Sequence, residues 1–218
     1  MFSLVRYTLS TVLLSQRYLP PVLLFIGLMA VFTSNDDGSL LPVYAFSAAA
    51  VFLCGTWLTI VTVNAEDPVQ RSITIVNTGG VGRVLVADLC VAFAGCVVIS
   101  VLGLLYPLTT GHHVLSPAAL VVGLLAEVTG ACCGLAVGLL CARPVIRRAG
   151  WSMATAVLAA FALLLIPGMP PMNRVFRLMT DELHPAAVLV QVIAFCVLSV
   201  ALVIGSAAAA RFVAVRRD

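Results

Sequence analysis

Lysine is missing from all 218 residues, and with it goes one class of chemistry. A nucleotide-binding P-loop sets the lysine ammonium against the β- and γ-phosphates. No residue here supplies it, so any ATP-driven step would take place on a second chain. Charge of either sign is scarce as well. Charged residues make up 10% of the chain, against roughly a quarter in ordinary globular proteins. A water-soluble fold of this size could not cover so much apolar surface. Catalytic motifs are lacking too: there is no Gly-x-Ser-x-Gly elbow and no His-Glu-x-x-His zinc helix. No enzymatic activity is expected. The seven cysteines, Cys54, Cys90, Cys96, Cys132, Cys133, Cys141 and Cys196, all fall within apolar segments. That placement argues against a disulfide framework or a paired zinc site and for small packing residues.

What remains is overwhelmingly apolar: 62% of the residues, with a mean hydropathy of +1.15. A β-barrel would alternate in polarity along each strand, whereas these segments are apolar on every face. The fold class is therefore all-α, a polytopic membrane protein built as a single transmembrane domain over residues 1–218. About 20 apolar residues cross a bilayer. Six spans follow, at 19–35, 42–64, 84–107, 117–142, 151–168 and 186–209. Asn35-Asp36-Asp37-Gly38 ends the first with a polar turn.

Arginine placement orients the spans. Arg6 and Arg17, Arg71 and Arg83, Arg143, Arg147 and Arg148, and Arg211, Arg216 and Arg217 lie on one side, and Arg174 and Arg177 on the other. Both termini are thus expected in the cytoplasm, with Asp36, Asp37, Asp181 and Glu182 outside. The arginine-only basic residues and the Ala, Val and Leu usage suggest a high-GC bacterial genome, hence the bacterial cell membrane. Basic residues scattered along inner loops do not form a nucleic-acid surface. Residues 1–17 lack the continuous apolar stretch of a cleavable signal. Phe2, Val5, Leu9, Val12 and Leu13 share one helical face instead, away from Arg6, Ser10 and Arg17, which describes an amphipathic helix in the inner interface. Pro20-Pro21 then allows a sharp turn into the first span.

The inner loop Asn64-Ala65-Glu66-Asp67-Pro68-Val69-Gln70-Arg71, running on to Gly79-Gly80, holds a helix over about 66–78. Asp67 caps it, Pro68 occupies its first position and the glycines stop it. Val69, Ile73 and Val76 form an apolar stripe, beside exposed Glu66, Asp67, Gln70 and Arg71. Such a helix suits docking of a partner; lying along the headgroups is the alternative. An N-terminal interfacial helix, six spans and a helix between the second and third spans together resemble the membrane subunit of an ATP-binding-cassette transporter, of the type-2 exporter class. The quoted string is similar to one in actinobacterial permeases of that class. The layout covers the whole chain and the local motif about 17 residues. The resemblance implies a pair of P-loop ATPase subunits, which hold ATP and Mg, and a second permease chain, identical or homologous. It assigns ATPase coupling to Glu66, Asp67, Pro68, Val69, Gln70, Arg71, Ile73 and Val76, and leaves this chain without a cofactor or metal of its own.

Farther along, Pro167-Gly168-Met169-Pro170-Pro171 interrupts the end of the fifth span. Asn173 can cap a short helix through Leu183, followed by His184-Pro185. The segment 169–185 is too polar to cross and too apolar for a free loop, so it lies in or dips into the outer leaflet. Type-2 exporters have a comparable re-entrant element that acts as an outer gate, which makes Phe176 and Met179 gate candidates; a cap on the bundle is the alternative. In the fourth span Gly123, Gly130, Gly134 and Gly138 form a close-packing face, within the subunit or across a dimer. Glu127 shares that face. A carboxylate facing lipid would be costly, so a protonated, hydrogen-bonded side chain pointing into the bundle is expected, with Gln191 as a candidate partner. Glu127 is either part of a substrate path or proton relay, or interhelical glue. Asp88, near Arg83 in the first turn of the third span, suits a helix N-terminus. His112 and His113 read as loop polarity rather than a metal site. The leading expectation is the permease half of an ATP-driven exporter for a hydrophobic or amphipathic substrate. A proton-coupled carrier using Glu127 and a non-transporting membrane scaffold are the alternatives.

Overall fold

The structure is a computed structural model that describes residues 1–33, 39–110, 116–143, 145–146, 149–181 and 185–217. The described residues are helical with no strand, as the unbroken apolar segments require. The helices are α1 (Phe2–Ser15), α2 (Leu19–Thr33), α3 (Leu40–Val63), α4 (Pro68–Thr78), α5 (Val81–Thr110), α6 (Pro117–Cys141), α7 (Ala149–Leu165), α8 (Met172–Asp181) and α9 (Pro185–Arg217). Asp36, Asp37, His112, His113, Arg147, Arg148, Glu182, Leu183 and His184 lie outside the described residues.

Among the described residues, four helices are long and apolar enough to cross a membrane: α3, α5, α6 and α9. The count rises to five if the bent pair α1 and α2 is one span. This architecture is compatible with a multi-pass membrane protein. The six-span expectation meets a difference of length at two places. The segments 19–35 and 151–168 form α2 and α7, of 15 and 17 residues. At 1.5 Å per residue they reach about 22 and 25 Å, short of a hydrocarbon core of about 30 Å. The sixth segment runs longer than expected, because residues 210–217 contain no glycine or proline and continue the helix to Arg217.

α3 is the centre of the bundle. Tyr44, Ala45, Ala48, Val51, Phe52 and Cys54 are fully shielded, and both main apolar clusters draw on this helix. α6 lies alongside it in the same direction: Gly123 faces the Tyr44 ring, Gly130 the Ala48 carbonyl, Gly134 the Phe52 carbonyl and Gly138 Thr59. α5 runs the opposite way, placing Gly95 against Leu58 and Gly103 against Ser47. α9 is parallel to α6. Val188 and Val192 share a cluster with Val122 and Ala126, and Ala210 shares one with Leu139 and Ala142. That last cluster also contains Val63 and Leu85, so one end of the bundle gathers the C-termini of α3, α6 and α9 and the N-terminus of α5. We call it the basal end.

The first two helices meet at 72°. Gln16 ends α1 in the left-handed conformation (φ 53°), and Pro20 and Pro21 sit in the first turn of α2, where no intrahelical N–H bond is lost. Most of the apolar face read for α1 stays outside the bundle, and a neighbouring sector that includes Val12 packs inward. Leu4, Thr8 and Val12 turn inward, whereas Phe2, Leu9 and Leu13 are exposed. The two sets lie about 120° apart around the helix. The reason is that two neighbouring sectors of α1 are apolar, and the bundle covers only one.

Candidate functional site

The most organised polar structure is at the basal end, around α4. Asp67 accepts the Val69 N–H at 3.0 Å as an N-cap, Pro68 follows at the first position, and Gly79 closes the helix at φ 79°. This matches the local chemistry read from the sequence, but two exposures are reversed. Arg71 and Glu66 were expected at the surface, and both are buried. Arg71 Nη1 donates to the Val63 carbonyl at 2.9 Å, and Nη2 to Asp88 Oδ2 at 2.9 Å. The physical reason is the end of α3: the last carbonyls of a helix have no intrahelical N–H to accept from, and the Arg71 guanidinium donates to one of them. Asp88 is thus the partner of Arg71 and not of Arg83. Arg83 Nη1 instead donates to the Thr78 carbonyl at 2.7 Å, at the end of α4.

Glu66 Oε1 accepts from Thr74 Oγ1 at 3.4 Å, and its Oε2 is buried without a partner. Its backbone carbonyl accepts from Arg143 Nη1 at 3.1 Å, while Asn64 Oδ1 accepts the Arg143 N–H at 3.3 Å. Arg143 follows α6 by two residues. Through Arg71 and Arg143, therefore, α4 and the segment leading into it are tied to the ends of α3 and α6 and to the start of α5.

The opposite face of α4 is bare. Val69, Ile73 and Val76 are 66%, 56% and 79% exposed, beside exposed Asp67, Pro68 and Gln70. Arg71 lies about 200° around the helix from Val69. So the usual sense of an amphipathic helix is inverted: a charged group is buried and an apolar stripe faces out. Ile73 also helps line a groove of about 420 Å³ between α4 and α1, whose other wall is Ser3, Leu4 and Tyr7.

A second polar cluster lies inside the bundle. Glu127 is fully buried, and Ser47 Oγ of α3 donates to its Oε1. Most other hydroxyls in the long helices turn back on their own backbone: Thr56 on Phe52, Thr59 on Gly55, Thr129 on Leu125, Ser206 on Val203. Ser47 does not. Gly103 of α5 leaves room for this contact, since a Cβ there would lie 2.9 Å from Glu127 Oε1. Glu127 Oε2 has no hydrogen-bond partner. Gln191 was the expected partner, and this is corrected: Gln191 is exposed on α9. α9 packs on another side of α6, next to Cys132, about 140° around the helix from Glu127. The glycine face that holds Glu127 is turned to α3 within the same chain.

The outer-gate candidates are on α8. Met179 is fully buried and Phe176 half-buried, its ring edge-on to Phe46 with centroids 5.2 Å apart. Pro170, Pro171 and Met172 border a groove with Phe52, midway along α3. From Met172 to Phe176 the segment thus moves from the middle of α3 toward its N-terminus. Asn173 is not an N-cap. It sits in the second position of α8, where its Nδ2 donates to the Leu164 carbonyl at 2.5 Å and its Oδ1 accepts the Gly168 N–H at 3.4 Å. One buried amide thus satisfies the end of α7 and the turn that follows.

Among the described residues no group of three His, Cys, Asp or Glu side chains is placed to hold a metal, and all seven cysteines are free thiols. No family model, curated protein or solved structure matches the chain.

Proposed function

We propose that this chain is the membrane subunit of an ATP-driven exporter, moved by separate P-loop ATPase subunits that engage α4. The observation that carries the reading is the two-sided character of that helix. One side is bolted to the bundle through Arg71 and Arg143. The other presents Val69, Ile73 and Val76 outward. Apolar residues held rigidly in this way are suited to a protein partner, and a load on them reaches α3, α5 and α6 together. The lack of a P-loop lysine in this chain supports an energy source on a partner. In this reading the basal end faces the cytoplasm of a bacterial cell, a second permease chain completes the path, and the cargo is hydrophobic or amphipathic.

The test is purification in mild detergent followed by reconstitution. The expected result is that a P-loop ATPase accompanies the chain, and that Val69→Asp with Ile73→Asp releases it while the helical circular-dichroism signal stays unchanged. Equal retention of the ATPase by the double variant would remove α4 as the dock. Full transport by the isolated chain in liposomes without nucleotide would remove the whole reading.

A further inference from the structure

We infer that the groove between α6, α7 and α9 holds an acyl chain of an anionic phospholipid, drawn from the leaflet at the basal end. The groove has a volume of about 460 Å³ and is lined by Ala136, Leu140, Leu163, Pro171, Gly205 and Ala209, among others. That is within the usual size of small-ligand sites, roughly 300–1,000 Å³. It has a structural cause. α7 stops at Leu165, and the turn through Pro170-Pro171 closes the groove at mid-height. Below that turn α9 offers Gly205 and Ala209, and α6 offers Ala136, where larger side chains would fill the gap. The groove opens sideways, since Ala201, Leu202, Gly205 and Ala209 are exposed. In a bilayer such an opening meets lipid tails.

Charge selects the class of lipid. The α9 positions that line the groove continue toward the basal end as Phe212 and Arg216. Arg216 lies within about 20° of their mean direction around the helix, and its rise above Ala209 is about 10 Å. Its guanidinium stands 4.2 Å over the Phe212 ring, which positions it below the groove mouth. A phospholipid with one chain in the groove would bring its phosphate to this level. A cation at the headgroup attracts anionic lipid. The lining is almost wholly apolar, and its one hydroxyl, Ser206, is already bonded to the Val203 carbonyl. The groove therefore has no complement for a polar solute.

Gly205 supplies the decisive variant. A Cβ there meets nothing within 4 Å, so a side chain at this position starts in open space, and Gly205→Leu would occupy part of the groove that Gly205 lines. The full chain would be purified in detergent, titrated with phosphatidylglycerol or phosphatidylcholine, and weighed intact by native mass spectrometry. The expected result is at least tenfold tighter retention of phosphatidylglycerol by the wild type. Gly205→Leu should lose that retention, and Arg216→Gln should equalise the two lipids. Retention unchanged in Gly205→Leu, with its helix content and elution volume those of the wild type, would overturn the inference. So would equal retention of both lipids by the wild type. Gly205→Ala, a smaller filling, should fall between wild type and Gly205→Leu; wild-type behaviour in both variants would place the lipid elsewhere.

Discussion

At the scale of single residues, the close approach of α6 to α3 depends on hydrogen atoms in place of methyl groups. A Cβ on Gly130 would collide with the Ala48 carbonyl oxygen, and one on Gly134 would come within 2.8 Å of the Phe52 carbonyl oxygen. Both obstacles are backbone and cannot swing aside. Gly130→Ala should therefore push α6 off α3, at a cost of about 1–3 kcal/mol, read as a fall in thermal-unfolding midpoint in detergent. Gly27→Ala is the control, since its added Cβ meets nothing within 4 Å, and its midpoint should hold or rise slightly. Equal midpoints for the two variants would contradict the packing described for α3 and α6. The ladder itself was legible in the sequence, because four-residue spacing on a helix is local information. Its partner was not: Ser47 and Glu127 are 80 positions apart, and nothing in either segment names the other. The same limit misplaced Gln191, whose span is apolar on every side and gives no sign of which side faces α6.

At the scale of elements, α4 shows why a local pattern can be right about a helix and wrong about its orientation. The cap, the proline and the closing glycine act within a few residues, so a helix with these end signals followed from sequence, although it begins at Pro68 and not at 66. Exposure depends on what stands behind the helix. Arg71 buries because the end of α3 offers a carbonyl and α5 offers Asp88, 17 residues downstream. The pair is 10% and 3% exposed at the side chains. Removing one member of a buried ion pair is strongly destabilising, by about 3–5 kcal/mol, whereas replacing both with apolar residues is often nearly neutral. Arg71→Met should accordingly lower the unfolding midpoint sharply, and Asp88→Leu likewise. The double variant should recover much of the loss, with the Val63 carbonyl left unmet as the residual cost. Additive losses in the double variant would show that the two residues act separately and that α4 is not anchored by their contact. Neither single variant touches the Val69, Ile73 and Val76 face, so a loss of partner binding in them would reflect a loosened helix rather than a missing contact.

At the scale of the whole molecule, helix direction decides what helix length leaves open. α6 and α9 run in parallel, with both C-termini at the basal end. The chain must climb the full height of the bundle between them, and α7, the turn at 166–171 and α8 are what carry it there. By the same reasoning α1 stands beside α4 at the basal end, whereas α3 starts at the far end. α2 has to make that climb although it is only 15 residues long. The described residues hold four helices of membrane-spanning length, or five if α1 and α2 form one span, and the remaining climbs along the bundle are made by the short α2 and by the broken α7–α8 segment, where Asn173 supplies hydrogen bonds at the break. The prediction concerns sidedness. Ser72 on α4, Arg216 on α9 and Arg177 on α8 are all exposed, and single cysteines can replace them in a background where the native seven are changed to alanine or serine. A membrane-impermeant maleimide should label Ser72→Cys and Arg216→Cys in inverted vesicles and leave them untouched in intact cells. Arg177→Cys should do the reverse. Labelling of all three from one side would mean that α7 and α8 return without crossing, and α9 would then have to enter the bundle from the basal end, against the direction its contacts with α6 require.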